Sequence, residues 1–143
     1  MRSFLIACAM IACPVTTAFA CWQTEIPKAL IPTNSLNVRV TNNGKAQESA
    51  KFELHKAITF DLEAARQTTA FERKSVKSAI TDSKGLLSFG EIKQGRYWMV
   101  PDGATVFGSV RVEVLSPGAG AAKRIWLNYS TDGCLEVSVE NAI

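Results

Sequence analysis

The amino-acid sequence predicts an all-β protein, folded as a single antiparallel β-sandwich of seven to nine strands. Short stretches in which apolar and polar residues alternate recur along most of the chain, and this period of two is typical of strands with one buried face. Turn signals rich in Gly, Asn, Asp and Pro separate the stretches at residues 43–44, 82–85, 116–120 and 131–133. Many short strands at regular spacing need two packed sheets to bury their apolar faces, which favours a sandwich.

Each predicted strand is defined by its alternating apolar residues. In chain order they are Leu36, Val38 and Val40; Phe52, Leu54, Ile58, Phe60 and Leu62; Val76 and Ile80; Leu87 and Phe89; Tyr97 and Met99; Val106, Val110, Val112 and Val114; Ile125, Leu127 and Tyr129; and Leu135, Val137 and Val139. Residues 63–66 favour a short helical turn and residues 67–69 a loop. Residues 21–35 hold two prolines without sustained periodicity, so we expect an extended lead segment before a sandwich domain of residues 36–143.

The shared parity of the apolar residues also predicts which side chains form the core. We expect six of them to be buried: Phe89, Tyr97, Val110, Val112, Leu127 and Val137. Arg111 has the opposite parity to its valine neighbours, so we expect Arg111→Asp to cost little stability.

The N-terminal residues have the organisation of a secretory signal peptide. A short basic start at residues 1–3 precedes an apolar run from Phe4 to Val15, and Ala18, Phe19 and Ala20 form an A-x-A cleavage site. The run is too short to span a bilayer as a helix. We therefore expect residues 1–20 to be removed, leaving an extracytoplasmic (secreted or periplasmic) mature chain without a transmembrane segment.

Removal of the signal peptide leaves Cys21 and Cys134 as the two cysteines of the mature chain. Two cysteines in an oxidising compartment favour a disulfide between them. The alternative is a lipoprotein in which Cys21 is the lipidated first residue, although Ala18 and Phe19 fit a bacterial lipobox poorly.

Charge and composition point away from several classes of function. Basic and acidic residues are interspersed and nearly balanced, so the electrostatic footprint of nucleic-acid binding is missing from the sequence. The single histidine, His55, has polar-face parity and no Cys, Asp or Glu partner at ligand spacing, so we expect a surface residue rather than a metal ligand. No nucleophile elbow or phosphate-binding loop occurs. The sequence therefore predicts a protein that is not an enzyme, with no catalytic residue, metal or cofactor.

A turn followed by two short strands carries a recognisable pattern. The residues that form it are Thr81, Asp82, Gly85, Leu87, Phe89, Ile92, Gly95, Tyr97 and Met99. Together with the first hairpin, this pattern resembles the carboxypeptidase regulatory-like domain over roughly residues 36–101. The family usually has an aromatic residue where Leu87 stands, Pro where Ala46 stands and Gly where Ser49 stands. The resemblance implies a transthyretin-like (prealbumin-like) or Ig-like sandwich, and it implies no chemistry.

Two enzyme families with transthyretin-like folds lack their residues in this chain. Hydroxyisourate hydrolases use several His and Arg residues and a Tyr-Arg-Gly-Ser tail, whereas this chain has one His and ends Glu-Asn-Ala-Ile. Intradiol dioxygenases hold iron with two Tyr and two His, and here Tyr97 and Tyr129 accompany only His55.

Two tryptophans are the candidate ligand-binding residues. Trp98 has the opposite parity to Tyr97 and Met99, and Trp126 has the opposite parity to its apolar neighbours, so both indoles are predicted to face outward. Exposed indoles on a sheet bind glycans by stacking or anchor protein partners. The alternative is that residues 21–35 or 63–73 pack over them. We accordingly expect a binding or structural module with a glycan or extracytoplasmic protein partner; the alternative is a lipid-anchored envelope protein that acts as a spacer or assembly component.

Overall fold

The computed structural model describes residues 26–102, 108–131 and 134–142, which form ten strands and one short helix. The elements are β1 (Lys28–Pro32), β2 (Ser35–Asn42), β3 (Lys45–Ala46), β4 (Lys51–Ala57), α1 (Leu62–Gln67), β5 (Phe71–Ile80), β6 (Leu86–Glu91), β7 (Gly95–Pro101), β8 (Val110–Leu115), β9 (Lys123–Tyr129) and β10 (Leu135–Asn141). The predicted all-β class is confirmed. The predicted signal peptide, Cys21 and Trp22 lie outside the described residues.

The strands form two five-stranded sheets. Sheet A has the order β1-β8-β7-β4-β5; in sheet B, β10, β9 and β2 follow one another, and β3 and β6 both pair with the far side of β2. The pairs β1–β8 and β2–β9 are parallel, whereas the other pairs are antiparallel. The prediction of purely antiparallel sheets is therefore wrong at two places. Alternation along a strand specifies which face is buried but carries no information about the direction of its neighbour.

One apolar core is shared by both sheets, in a sandwich-like arrangement. Five of the six predicted core residues are buried: Phe89, Tyr97, Val110, Val112 and Leu127. Val137 is half-buried and packs against this cluster from β10. Strand parity thus located the core correctly in both sheets except on β5, where the predicted strand residues Val76 and Ile80 are exposed.

Strand β1 lies inside the predicted lead segment and belongs to sheet A. Its residues pair in parallel with β8, from Lys28 opposite Arg111 to Pro32 opposite Leu115. Ala29 is buried in the core. Sheet A therefore includes residues of the predicted lead segment, before residue 36. The sequence did not predict β1, because the four residues between Pro27 and Pro32 are too few for an alternation to be distinguished from an irregular segment.

Two predicted turns lie next to β2 in sheet B. The turn after β2 places Asn43 and Gly44 at φ values of 52° and 82°, in the left-handed region. In the turn before β6, Asp82 accepts hydrogen bonds from the backbone of Lys84 and Leu86 through one carboxylate oxygen. Gly85 in that turn has a φ of 77°, and a Cβ there would lie 2.5 Å from the carbonyl oxygen of Val40. Glycine is thus required both for the turn and for its contact with β2.

The chain between β4 and β5 contains the predicted helical turn and loop. Asp61 caps α1 by accepting a hydrogen bond from the backbone nitrogen of Glu63 at 2.9 Å. Strand β4 ends at Ala57, so the predicted strand does not extend to Leu62. Phe60 and Leu62 instead pack on the outer face of sheet A. Among the described residues, no helix has the length and apolar character needed to cross a membrane.

Candidate functional site

The two candidate tryptophans lie on the outer faces of different sheets. Trp98 belongs to β7 in sheet A and Trp126 to β9 in sheet B, and the neighbours of each face the shared core. Parity therefore assigned both side chains to the correct side of their strands. Their surroundings are very different.

Trp98 is completely buried, so the prediction that it binds a ligand from the surface is wrong. The chain from β4 to β5 packs over it, as the alternative interpretation expected, and forms a second apolar cluster with Ala65 and Ala70. Its indole donates a hydrogen bond to the carbonyl oxygen of Thr59 at 2.9 Å, and Phe60 meets it edge-on with ring centroids 6.2 Å apart. This tryptophan is a structural residue.

Arg111 hydrogen-bonds to the segment between β4 and β5 that packs over Trp98, called here the cover segment. Its guanidinium donates to the carbonyl oxygens of Phe60 at 2.9 Å and Ile26 at 2.7 Å. The side chain is therefore committed to two segments that flank the second cluster. The expectation that Arg111→Asp costs little is not supported by this geometry, because parity says only that Arg111 points away from the main core.

His55 is buried rather than on the surface, and this prediction is also wrong. Its side chain is 7% exposed, Nδ1 lies 2.7 Å from the carbonyl oxygen of Glu72, and Nε2 lies 3.5 Å from a carboxylate oxygen of Glu53. The ring packs against Phe71 with centroids 4.7 Å apart. Both Phe71, which covers the ring, and Glu72, whose carbonyl oxygen contacts Nδ1, belong to β5. The sequence next to His55 does not predict that β5 buries it. No group of three or more metal-ligating side chains occurs among the described residues.

Trp126 lies half-buried at the centre of the outer face of sheet B. Parallel pairing places it beside Arg39 of β2, and antiparallel pairing places it beside Ser138 of β10. The outward residues of β2, β9 and β10 form a polar surface around the indole, called here the B face: Asn37, Arg39, Thr41, Arg124, Trp126, Asn128, Glu136, Ser138 and Glu140. On the B face Glu136 and Ser138 are exposed, and Arg124, Trp126 and Glu140 are half-buried.

Arg39 crosses Trp126 to reach a carboxylate two strands away. Its guanidinium lies 4.2 Å from the centroid of the indole ring, a cation–π contact. It then donates two hydrogen bonds of 2.8 Å to Glu140, one to each oxygen. One face of the indole is therefore covered by the protein itself, so Trp126 does not offer the bare stacking surface that the sequence suggested.

Glu140 is shared by two arginines. Besides the fork from Arg39, it accepts a hydrogen bond from Nε of Arg124. The hydrogen bonds from Arg39, and next from Arg124, lower the pKa of Glu140 to about 2 even though partial burial opposes the change. Glu140 in turn raises the pKa of Arg39. The three groups together carry one net positive charge at neutral pH.

A chain of hydrogen bonds fixes the other side of the indole. Trp126 donates from Nε1 to the hydroxyl of Thr41 at 2.9 Å, and that hydroxyl donates to the side-chain oxygen of Asn128 at 2.7 Å. The same oxygen accepts the backbone N–H of Gly44 at 3.0 Å. The indole is thus held in one orientation between Arg39 and Thr41.

Sequence reasoning found Trp126 and missed its three charged neighbours. Arg39 reads as an ordinary polar position of β2, Arg124 as half of a solvated basic pair, and Glu140 as a polar position of β10. Their parity is correct, but the cluster exists only because β2 pairs in parallel with β9. That pairing joins distant parts of the chain and leaves no local signal.

The structure describes only one of the two cysteines of the predicted disulfide. Cys134 is buried, with 7% of its surface exposed, immediately before β10. Cys21 lies outside the described residues, so the bond stays a prediction. Comparison of the chain with models of known protein families and with curated proteins found no match.

Proposed function

We propose that the chain is a non-catalytic β-sandwich binding module that works outside the cytoplasm and presents the B face to its partner. The observation that carries the proposal is the contrast between the outer faces of the sheets. Sheet A buries its outer tryptophan beneath a dedicated segment, whereas sheet B keeps an indole and three charged side chains at an open surface. Aromatic and arginine side chains in such clusters are typical of binding surfaces.

Three features of the B face support binding rather than simple solvation. It is rigid, because Trp126, Arg39 and Glu140 are each fixed by hydrogen bonds or ring contacts. It is chemically mixed, with guanidinium, carboxylate, amide and hydroxyl groups close together. It lies on strands rather than loops, so its geometry is preorganised and little conformational entropy is lost on binding.

The transthyretin-like identity of the sandwich is part of this proposal. It rests on the residues that resemble carboxypeptidase regulatory-like domains and on the core shared by the two sheets. Fold resemblance of this kind does not specify a ligand. The B face, not the fold, therefore supplies the functional hypothesis.

Export and the state of Cys21 belong to the same proposal. Tyr129 pairs with Leu135, and its hydroxyl lies 3.5 Å from the carbonyl oxygen of Gly108, just before β8. Cys134, which precedes Leu135, therefore lies near the start of β8. Because β1 and β8 are parallel, the start of β1 lies at the same end of the fold. This placement favours a bond between Cys21 and Cys134. The mature protein should have the mass of residues 21–143 less two hydrogens, and an acyl-modified Cys21 would instead indicate the lipid-anchored envelope protein.

The binding proposal is tested by screening the mature protein against immobilised glycans and candidate extracytoplasmic proteins. A true ligand of the B face should lose affinity when Arg124→Gln or Trp126→Ala is introduced. Arg73→Gln, on the exposed edge strand β5, is the matched control and should leave binding unchanged. A ligand that binds all three variants equally would place the binding surface elsewhere.

A further inference from the structure

A groove adjoins the B face on the side of β6. It has a volume of about 390 Å³ and is lined in part by Asn37, Leu86, Ser88 and Arg124. The groove lies where the pairing of β2 with β6 shifts register between Leu36 and Asn37. Its size falls within the range of small-molecule sites, about 300–1,000 Å³.

Arg124 supplies an oriented positive group to this groove. Its Nε is bonded to Glu140, and among the described residues its terminal nitrogens have no acceptor. Arg39 already neutralises the charge of Glu140 through two hydrogen bonds. The cluster of Arg39, Arg124 and Glu140 therefore retains one net positive charge. A guanidinium that is anchored through Nε and free at its terminal nitrogens is well suited to bind a carboxylate.

The remaining walls are suited to a ligand with hydroxyl groups and an apolar surface. The hydroxyl of Ser88 accepts the backbone N–H of Gly90 at 3.1 Å, which leaves its own proton free to be donated. Leu86 contributes a half-buried aliphatic side chain. The Asn37 amide makes only a long contact, 3.4 Å, with the carbonyl oxygen of Ser35.

Asp82 restricts the charge that the ligand carries. Asp82 also lines the groove, and hydrogen bonds from the backbone of Leu86 and Lys84 lower the pKa of its carboxyl group, so it is ionised at neutral pH. A densely anionic ligand would meet this charge unfavourably. A ligand with one carboxylate per ring matches better, because its hydroxyls can donate to Asp82 while its carboxylate lies at Arg124.

We infer that the groove binds a uronic acid unit of a saccharide, with the sugar carboxylate on the terminal nitrogens of Arg124. The ring hydroxyls then meet Ser88, Asn37 and Asp82, and the apolar face of the ring lies against Leu86. An acidic peptide supplies the carboxylate without the neighbouring hydroxyls. This inference rests on the proposed binding function and names the ligand class for the part of the B face next to the groove.

The experiment is calorimetric titration of the mature protein at low salt with trimers of galacturonate, glucuronate, mannuronate and guluronate, each paired with its methyl ester. The ester keeps the ring and removes the charge. At least one acidic trimer should bind, and its ester should bind about tenfold more weakly or worse, because a charge-assisted contact is lost. Equal binding of acid and ester, or no binding by any acid at millimolar concentration, would overturn the inference.

Variants locate the site and separate the two proposals. Arg124→Gln should weaken binding about tenfold or more, and Ser88→Leu, which fills the groove from an exposed position, should abolish it. Arg73→Gln is the control. If uronates fail while a neutral glycan or a protein binds and is lost in Arg124→Gln, the ligand class is wrong and the B face stands. If an acidic trimer binds with an affinity that neither groove variant changes, the site is wrong.

Discussion

Trp98 and Trp126 lie on the outer faces of the two sheets, but only Trp98 is fully buried. Each points away from the shared core, next to strand neighbours that point into it. Trp98 is covered by the chain from β4 to β5 and is inaccessible, whereas Trp126 is half-buried beneath a single arginine side chain. Strand parity thus determines which side of a sheet a residue occupies, and the fate of that side depends on segments elsewhere in the chain.

The largest expected difference between the two faces is in stability. Trp98→Ala should lower the free energy of unfolding by about 3–5 kcal/mol, because it opens a large cavity and removes the hydrogen bond to Thr59. Trp126→Ala should cost about 1–2 kcal/mol, since the indole is only half-buried and its loss removes mainly the contacts with Arg39 and Thr41. Urea denaturation of both variants measures the difference, and equal costs would mean that the two faces are not distinct.

The packing of the segment between β4 and β5 on sheet A should depend strongly on the hydrogen bonds of Arg111. We expect Arg111→Asp to destabilise the protein by about 2–4 kcal/mol, because two carbonyl oxygens lose their donor and a carboxylate replaces it nearby. Arg73→Asp, on the exposed strand β5, should change stability by only about 0.5 kcal/mol. If thermal melts gave the same midpoint for both variants, Arg111 would not hold the cover segment in place.

The B face contains a buried hydroxyl that links the indole to the sheet. Thr41→Val keeps the shape of the side chain and removes the acceptor for Trp126 and the donor to Asn128. We expect a cost of about 1–2 kcal/mol, measured by urea denaturation, because Thr41 is only 2% exposed. Ser138→Ala on the same face is exposed and should be nearly neutral. A neutral Thr41→Val would show that the hydrogen-bond chain does not fix the indole.

The smallest expected effect is on the pH dependence of stability. The folded-state pKa of Glu140, about 2, lies below its ordinary value of 4.5, so the carboxylate stabilises the fold above pH 4.5 and this contribution is lost as the pH falls through 2. Because the group is partly solvated, we expect a contribution on the order of 1 kcal/mol. Glu140→Gln should flatten this acid limb of the unfolding free energy. The lowered pKa of Asp82 acts in both proteins and cancels in the comparison.

Local chemistry made much of the fold predictable. The turn at Asn43 and Gly44 and the turn at Asp82 were visible because they need particular residue types, and the core was visible because strands alternate. The short helical turn was likewise visible in a stretch without strand alternation. These features depend on residues within a few positions of one another.

The features that escaped prediction depend on distant pairings. The parallel β1–β8 and β2–β9 pairs, the burial of His55 by β5, and the Arg39 bridge over Trp126 all join segments far apart in the chain. The alternation pattern is the same whichever strand lies next door. The candidate site was therefore half predictable: its indole has a sequence signal, and its charged neighbours become a cluster only in the folded sheet.

Hydroxyl-radical footprinting of the native mature protein, read by mass spectrometry of separate peptides, tests the contrast between the faces most directly. Trp98 and Trp126 have the same intrinsic reactivity, so their labelling rates report exposure alone. The structure predicts that Trp126 is labelled several-fold faster than Trp98. Equal labelling of the two residues, or faster labelling of Trp98, would contradict the account of a covered sheet A and an open B face.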